Sequence, residues 1–183
     1  MAKWVFEPGH SAAEFRVRHM MVTWVRGMIP RIEGTLDLDL DHPVGGVIEV
    51  TMDAHKLWTG DDDRDGHLKN ADFLDVENHP KISFKGRFSE QIGETDYTVK
   101  GELTIRGITR PVVMDVAYLG HWATPFWVGS EDKGPKTRAG FTGTTRINRQ
   151  DFDIKWQGEL EKGGVVVGND VFITVDAEAL PED

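Results

Sequence analysis

Apolar and polar residues alternate with a period of two through most of this chain, and that pattern limits what it can fold into. Between positions 32 and 41 the even positions are apolar, whereas the odd ones include Asp37, Asp39 and Asp41. Since successive side chains of a strand point to opposite faces of a sheet, the pattern predicts half-buried strands. Other alternating segments are 14–19, 48–52, 81–88, 97–106, 112–118, 152–156 and 171–175.

Roughly eight or nine such strands joined by hairpin-length turns are typical of a closed up-and-down barrel or a sandwich. The length of 183 residues fits a single domain. Segment 121–138 is predicted to be a long irregular connection, because two prolines and two glycines, Pro125, Gly129, Gly134 and Pro135, interrupt it.

One segment in the middle of the chain departs from alternation. Apolar residues recur at intervals of three from Leu68 to Leu74, which predicts a short helix with Asp62 or Asp63 as its N-cap. The helix must end before Pro80, since proline disfavours helical geometry at the preceding residue. A single helix in an all-β chain is expected to cap one end of a barrel.

The predicted interior contains small residues at apolar positions. Gly34, Gly101, Ala139 and Gly143 share the inward parity of their strands. A barrel of about eight strands is either filled by side chains or holds one small ligand. A filled core would favour bulky residues at these positions, so we expect a ligand cavity.

Composition excludes several functional classes. The net charge is −10, which disfavours binding to nucleic acid, and the absence of cysteine excludes disulfides and thiolate chemistry. Residues 1–10 lack the apolar run of a signal peptide, and no stretch of about 18 apolar residues is present to span a bilayer. We therefore expect a soluble, cytoplasmic protein.

Metal binding and catalysis have little support in the sequence. The acidic run 61–72 partly matches an EF-hand calcium loop, with Gly66 at the sixth position. However, the segment before it reads as a strand rather than as the entering helix, so capping and surface solvation are favoured. His19 shares the parity of Phe15 and is interpreted as a core histidine rather than a ligand. The serines lack a nucleophile elbow, and no phosphate loop is present. We predict no catalytic or metal-binding residues.

Several motifs occur together in order along the chain. The most specific is 101–112, which reads GELTIRGITRPV. Others are Thr59-Gly60, Arg64-Asp65, His67-Leu68, Asp72-Phe73, Asn148-Arg149 and Gly168-Asn169-Asp170-Val171. With these motifs, the chain resembles the YceI-like family of lipocalin-like, polyisoprenoid-binding proteins over about 170 residues.

The resemblance implies an eight-stranded antiparallel lipocalin-like barrel with one short capping helix and an apolar tunnel. It implies binding of an isoprenoid lipid, a polyprenyl compound or a quinone, without another cofactor. Many relatives are periplasmic, and this sequence departs from them at its N-terminus. The family offers no uniform catalytic residues. From strand parity, the predicted lining is Phe15, Val17, Trp24, Phe73, Phe84, Tyr97, Met114, Phe141, Phe152 and Trp156. Arg64 and Arg149 are candidates to contact a polar head group, with salt bridges to neighbouring acids as the favoured alternative.

Two apolar stretches have alternative interpretations. Residues 20–29 and 122–127 are either ligand portals or dimer contacts, or they fold over the barrel end as additional core. Besides a lipid carrier, the sequence leaves open an enzyme acting on an apolar substrate inside the barrel. It also leaves open a ligand-free, homodimeric interaction or stress-related module.

Overall fold

The structure is a computed structural model that describes residues 2–182. Within this range ten strands form one antiparallel sheet in the order β1-β4-β5-β6-β7-β8-β9-β10-β2-β3. The strands are β1 Ala2–Phe6, β2 Ala12–His19, β3 Thr23–Pro30, β4 Glu33–Leu38, β5 Val47–Asp53, β6 Lys81–Gln91, β7 Asp96–Ile105, β8 Ile108–Val128, β9 Glu131–Asn148 and β10 Val167–Pro181. The single α-helix of this range, α1, is Asp62–Lys69, and short 3-10 turns occupy Pro8–His10, Ala54–Lys56, Arg149–Phe152 and Glu161–Gly163.

Strand β10 closes the sheet into a barrel. Its first part, Val167–Asp176, pairs with β2, and its last residues, Ala179–Pro181, pair with β1. Strands β1 and β2 therefore form one interrupted wall strand, and β3 and β4 form the next in the same way, because β2 pairs with β3 and β1 with β4. Counted this way, the described chain forms an eight-stranded antiparallel barrel, as predicted.

The predicted helix covers one end of the barrel. Asp61, rather than Asp62 or Asp63, is the N-cap, and its carboxylate accepts a hydrogen bond from the Arg64 N–H at 2.8 Å. We call α1 and the turn that follows it, residues 62–74, the cap. Arg106, in the β7–β8 turn, ties the cap to the barrel by donating to the carbonyl of Phe73 at 3.0 Å. None of the helices in residues 2–182 is long and apolar enough to cross a membrane.

The irregular connection predicted for 121–138 is wrong. Strands β8 and β9 continue past the barrel wall as a two-stranded ribbon, with Pro125 opposite Pro135 and Val128 opposite Glu131. Proline is tolerated there because both edges of a free ribbon face solvent, where a missing N–H costs no ladder bond. The predicted strand at 152–156 is also wrong, since Phe152 ends a 3-10 turn and the residues after it have no strand partner.

Candidate ligand-binding cavity

The barrel contains a cavity of about 200 Å³. Along β9 the cavity wall runs from Phe141 to Ile147, about 20 Å at the rise of a strand. With the usual strand tilt, this corresponds to about 15 Å along the barrel axis. Leu68, Phe73 and Leu74 of the helical cap border the same cavity. The helix therefore covers the end of an internal space.

One wall of the cavity is lined by short side chains. The residues of β10 that line the cavity are Val167, Val171, Ile173, Val175 and Ala177. Val175 lies in register between Gly143 of β9 and Ala13 of β2, so its row of the wall contains nothing larger than valine across these three strands. Side chains this short do not reach across the barrel, although the Met114 side chain of β8 lies over Gly143, with its sulfur 2.7 Å from where a Cβ at that glycine would be.

The opposite wall carries the larger residues, but they lie against the sheet. Gly86 of β6 faces Gly101 of β7. A Cβ added at Gly86 would lie 2.8 Å from the ring of Phe84, and one added at Gly101 would lie 2.7 Å from it. The two glycines therefore allow this ring to lie flat against the sheet. The Phe6 ring covers Gly34 in the same way, since a Cβ added at Gly34 would lie 2.6 Å from this ring. The predicted small residues do make room, but neighbouring aromatic rings occupy it at Gly34 and Gly101. Gly143 borders the cavity, and the Met114 side chain lies over it.

The polar groups around the cavity are exposed to solvent or already hydrogen-bonded. Within the described chain, the lining residues with polar side chains are Glu14, Thr145 and Arg149. The Thr145 hydroxyl donates to the carbonyl of Val113 at 2.8 Å, and Glu14 is exposed. These contacts leave an almost entirely apolar interior.

Arg149 is buried, and its guanidinium is bound by backbone. It donates to four carbonyl oxygens, those of Ile154, Trp156, Val167 and Gly168, at 2.7–3.3 Å. No carboxylate of residues 2–182 pairs with it, and burial lowers the pKa of its guanidinium. The predicted salt bridge is therefore not formed, and Arg149 joins the end of β9 to the segment before β10. Arg64 lies outside the cavity lining and donates to Thr59.

Six of the ten predicted lining residues border the cavity: Phe15, Val17, Phe73, Phe84, Met114 and Phe141. They come from β2, β6, β8, β9 and the cap, which the closure of the barrel brings together. Whether they contact a ligand stays a prediction.

The other four predicted residues do not border the cavity. Trp24 faces outward, because it lies opposite Arg18 in the β2–β3 hairpin and the guanidinium of Arg18 stacks 4.2 Å from its ring. Tyr97 packs edge-on behind Phe88, 6.0 Å between ring centroids, and fills space beyond the cavity.

Phe152 and Trp156 fall outside the lining because their segment is not a strand. Phe152 is fully buried at the end of a 3-10 turn, where strand parity does not apply. Trp156 packs in the cap against His67 and Phe73, with ring centroids 4.8 and 5.4 Å away. Neither aromatic ring reaches the cavity.

The prediction omitted three residues of β10 that line the cavity, Val171, Ile173 and Val175. Alternation in 171–175 already placed Val171, Ile173 and Val175 on one face, yet the prediction favoured aromatic residues. An empty interior is bordered by side chains too short to fill it, so β-branched residues next to glycine or alanine were the better signal.

The acidic run 61–72 is not arranged as a calcium loop. Residues 62–69 are helical, Asp61 caps that helix, and buried Asp65 accepts the N–H of Thr59 at 2.9 Å. Throughout residues 2–182 no three histidine or acidic side chains gather as a metal site. His19 is half-buried beside the β2–β3 turn and does not border the cavity.

Residues 4–179 match the family model of the YceI-like domain. The chain belongs to the YceI-like family. This YceI-like chain is 32% identical to a UPF0312 protein of Ectopseudomonas mendocina over 145 residues, which are 79% of this chain and 72% of that protein. It is also 32% identical to a UPF0312 protein of Pectobacterium atrosepticum over 148 residues, 81% of this chain and 72% of that protein.

Solved structures with the same fold include BcnA of Burkholderia cenocepacia, with a TM-score of 0.75, 20% identity and coverage of 92% of this chain and 95% of that one. The Campylobacter jejuni YceI protein gives a TM-score of 0.74 at 22% identity, covering 91% and 90%. A polyisoprenoid-binding domain of Saccharophagus degradans, implicated in plant cell wall breakdown, gives 0.68 at 12% identity and covers 100% of both chains. At these identities the likeness shows the fold alone.

Proposed function

We propose that this protein is a carrier that holds the apolar chain of an isoprenoid lipid, a polyprenyl compound or a quinone, inside the barrel. The observation that carries the proposal is the apolar cavity inside the barrel, whose polar lining groups are exposed or already hydrogen-bonded. Membership of the YceI-like family and the likeness to a polyisoprenoid-binding domain support the same ligand class.

The chemistry of the cavity favours binding by the lipid tail. Burial of a hydrocarbon contributes about 0.8 kcal/mol per carbon, or about 4 kcal/mol per five-carbon isoprene unit before ordering costs. A wall without free donors or acceptors rejects polar chains, since each buried polar group without a partner is costly. The same lack of free polar groups supports binding rather than catalysis, which needs converging groups with shifted pKa values.

The test is mass spectrometry of an organic extract from gently purified protein, compared with a variant that fills the cavity. Ile173→Phe/Val175→Phe places two rings on the short-chain wall and should abolish the stoichiometric lipid. The matched control is Thr144→Phe/Thr174→Phe, which adds the same rings to the outward face of β9 and β10 and should keep the lipid. Equal lipid in the cavity-filling variant and the control, both folded, would contradict binding at this site.

An empty extract of the wild-type protein is followed by titration with a short polyprenyl alcohol and with a quinone. Quenching of tryptophan fluorescence that saturates at one ligand per chain, and that is lost in the cavity-filling variant, would support the carrier function. No saturable binding of either compound would refute it.

A further inference from the structure

The turn between β2 and β3 presents three apolar side chains to solvent. Met20, Met21 and Val22, which we call the hairpin tip, are 43%, 62% and 80% exposed. Apolar clusters of this kind on an otherwise polar surface mark contact sites for another molecule.

The backbone of the hairpin tip does not favour the residues it carries. The Val22 N–H donates to the His19 carbonyl at 3.1 Å, and the two residues between them have positive φ, 47° at Met20 and 60° at Met21. Two-residue turns with two positive φ angles favour Asn-Gly, because methionine is strained in left-handed geometry. Local conformational preference therefore gives no reason for two methionines at these positions.

Three arginines without an ion pair in the described chain lie on the outward face of the hairpin, behind its tip. Arg16 and Arg18 stack on the outward Trp24, 4.6 and 4.2 Å from its ring, and Arg16 lies directly opposite Arg26. Like charges in this arrangement repel each other. No carboxylate of residues 2–182 forms an ion pair with any of the three arginines, although the chain carries a net charge of −10.

We propose that the β2–β3 hairpin docks on the surface of an anionic phospholipid bilayer. The hairpin tip enters the boundary between head groups and acyl chains, Trp24 lies at the level of the head groups, and the three arginines contact lipid phosphates. Tryptophan prefers this interface, and each basic residue near an anionic surface raises the partition coefficient about fivefold.

The other face of the same hairpin borders the cavity. Phe15 and Val17 point inward from β2, and Val167, opposite His19 at the end of the hairpin, also lines the cavity. Docking would therefore place the cavity beside the membrane that holds an isoprenoid lipid. The role of docking in loading the cavity rests on the proposed carrier function. Docking itself can be measured on vesicles without isoprenoid lipid and does not depend on that function.

The β8–β9 ribbon is the competing surface, with Trp122 and Trp127 both exposed. Its turn, however, carries Glu131 and Asp132, and Lys133 is paired with Glu131 at 2.6 Å. The segment beside the hairpin tip also carries two exposed acids, Glu159 and Glu161, but the three arginines of the hairpin exceed them in charge, so the observations favour the hairpin tip over the acidic end of the ribbon.

The test is co-sedimentation with vesicles of equal parts phosphatidylcholine and phosphatidylglycerol, compared with phosphatidylcholine alone. Met20→Asn/Met21→Gly should lower the partition coefficient by about tenfold or more, because apolar insertion is lost. The same variant should unfold at a higher temperature, because Asn-Gly suits the turn. The matched control, Val44→Asn/Ile92→Asn, removes exposed apolar residues from other turns and should bind as the wild type does.

The arginines are tested separately. Arg16→Gln/Arg18→Gln/Arg26→Gln should reduce binding to the anionic vesicles on the order of 100-fold. The control Lys3→Gln/Lys81→Gln/Lys100→Gln makes the same change in net charge on β1, β6 and β7 and should change it little.

Three results would overturn the docking proposal. One is no binding of the wild type to anionic vesicles, and another is equal binding to both kinds of vesicle. The third is binding that survives both hairpin variants but is lost in Trp122→Ala/Trp127→Ala. Since these vesicles contain no isoprenoid lipid, failure here leaves the extraction and titration results of the carrier test untouched.

Discussion

Filling the cavity from β10 should stabilise the lipid-free protein. Val175 lies between Gly143 and Ala13 on the wall of short side chains. Val175→Phe adds four carbons that can enter a space of about 200 Å³. At about 0.8 kcal/mol per buried carbon the gain is roughly 3 kcal/mol, reduced by roughly 0.5–1 kcal/mol of lost rotamer freedom. The free energy of unfolding should rise by about 2 kcal/mol.

Scanning calorimetry after removal of bound lipid on a hydrophobic resin measures this change. For a chain of this length, about 2 kcal/mol corresponds to a Tm increase of roughly 4–8 °C. Thr174→Phe, one residue along β10 on the outward face, is the control and should shift Tm little. Added isoprenoid should raise the Tm of the wild type, since a ligand that binds only the folded state stabilises it. It should raise the Tm of Val175→Phe much less.

The sign of the Tm change decides whether the cavity is empty in the lipid-free protein. If the barrel collapses around the missing lipid, Val175→Phe will overpack the interior and cost about 1–3 kcal/mol. A lower Tm for the lipid-free variant would therefore refute an open, preformed cavity.

Two further substitutions test polar side chains, Tyr118 and Arg149. Burial and the charge of Asp41 raise the pKa of the Tyr118 phenol above 10.0, so Tyr118 contributes stability that is complete below pH 10 and declines as the pH rises through the folded pKa. Tyr118→Phe should therefore flatten the fall in unfolding free energy above pH 10 in urea titrations, and an unchanged slope would contradict this. Arg149→Ala leaves four carbonyls without their donor and should lower the free energy of unfolding by about 3–5 kcal/mol. Arg149→Lys should recover only part of this loss, because lysine lacks the planar guanidinium with its several N–H donors. A loss under about 1 kcal/mol in urea unfolding would show that water replaces the guanidinium.

Most of the strands could be predicted because alternation is visible within each segment. The alternation at 32–41 predicts which residues of β4 point inward, but strand number and hairpin turns are equally typical of a barrel and a sandwich, and closure was predicted only from the family resemblance. The ribbon was not predictable from local composition. Pro125 and Pro135 read as breakers, and only their position on a free ribbon, beyond the barrel wall, makes them compatible with strands.

The lining was predicted in part for the same reason. Inward parity found Phe15 and Val17 on β2 but gave no guide to Trp24, because apolar and polar residues do not alternate in 20–29. In the structure the odd positions face inward on both β2 and β3, and Trp24 faces outward. The cytoplasmic location and a homodimer stay predictions.

The two walls of the barrel explain how an apolar cavity stays open. A cavity lined by long flexible side chains would be filled by their own rotamers, since close packing is favoured wherever atoms can reach. Here Phe84 is held flat by the glycine pair Gly86–Gly101, while the facing wall carries valine and isoleucine, whose branched side chains have few rotamers. Neither wall can reach across to the other. The open space therefore depends on these residues. In Gly86→Ala the added Cβ would meet the side chains of Phe84 and Val99 rather than backbone, so this change should push the Phe84 ring into the cavity and reduce its capacity for lipid.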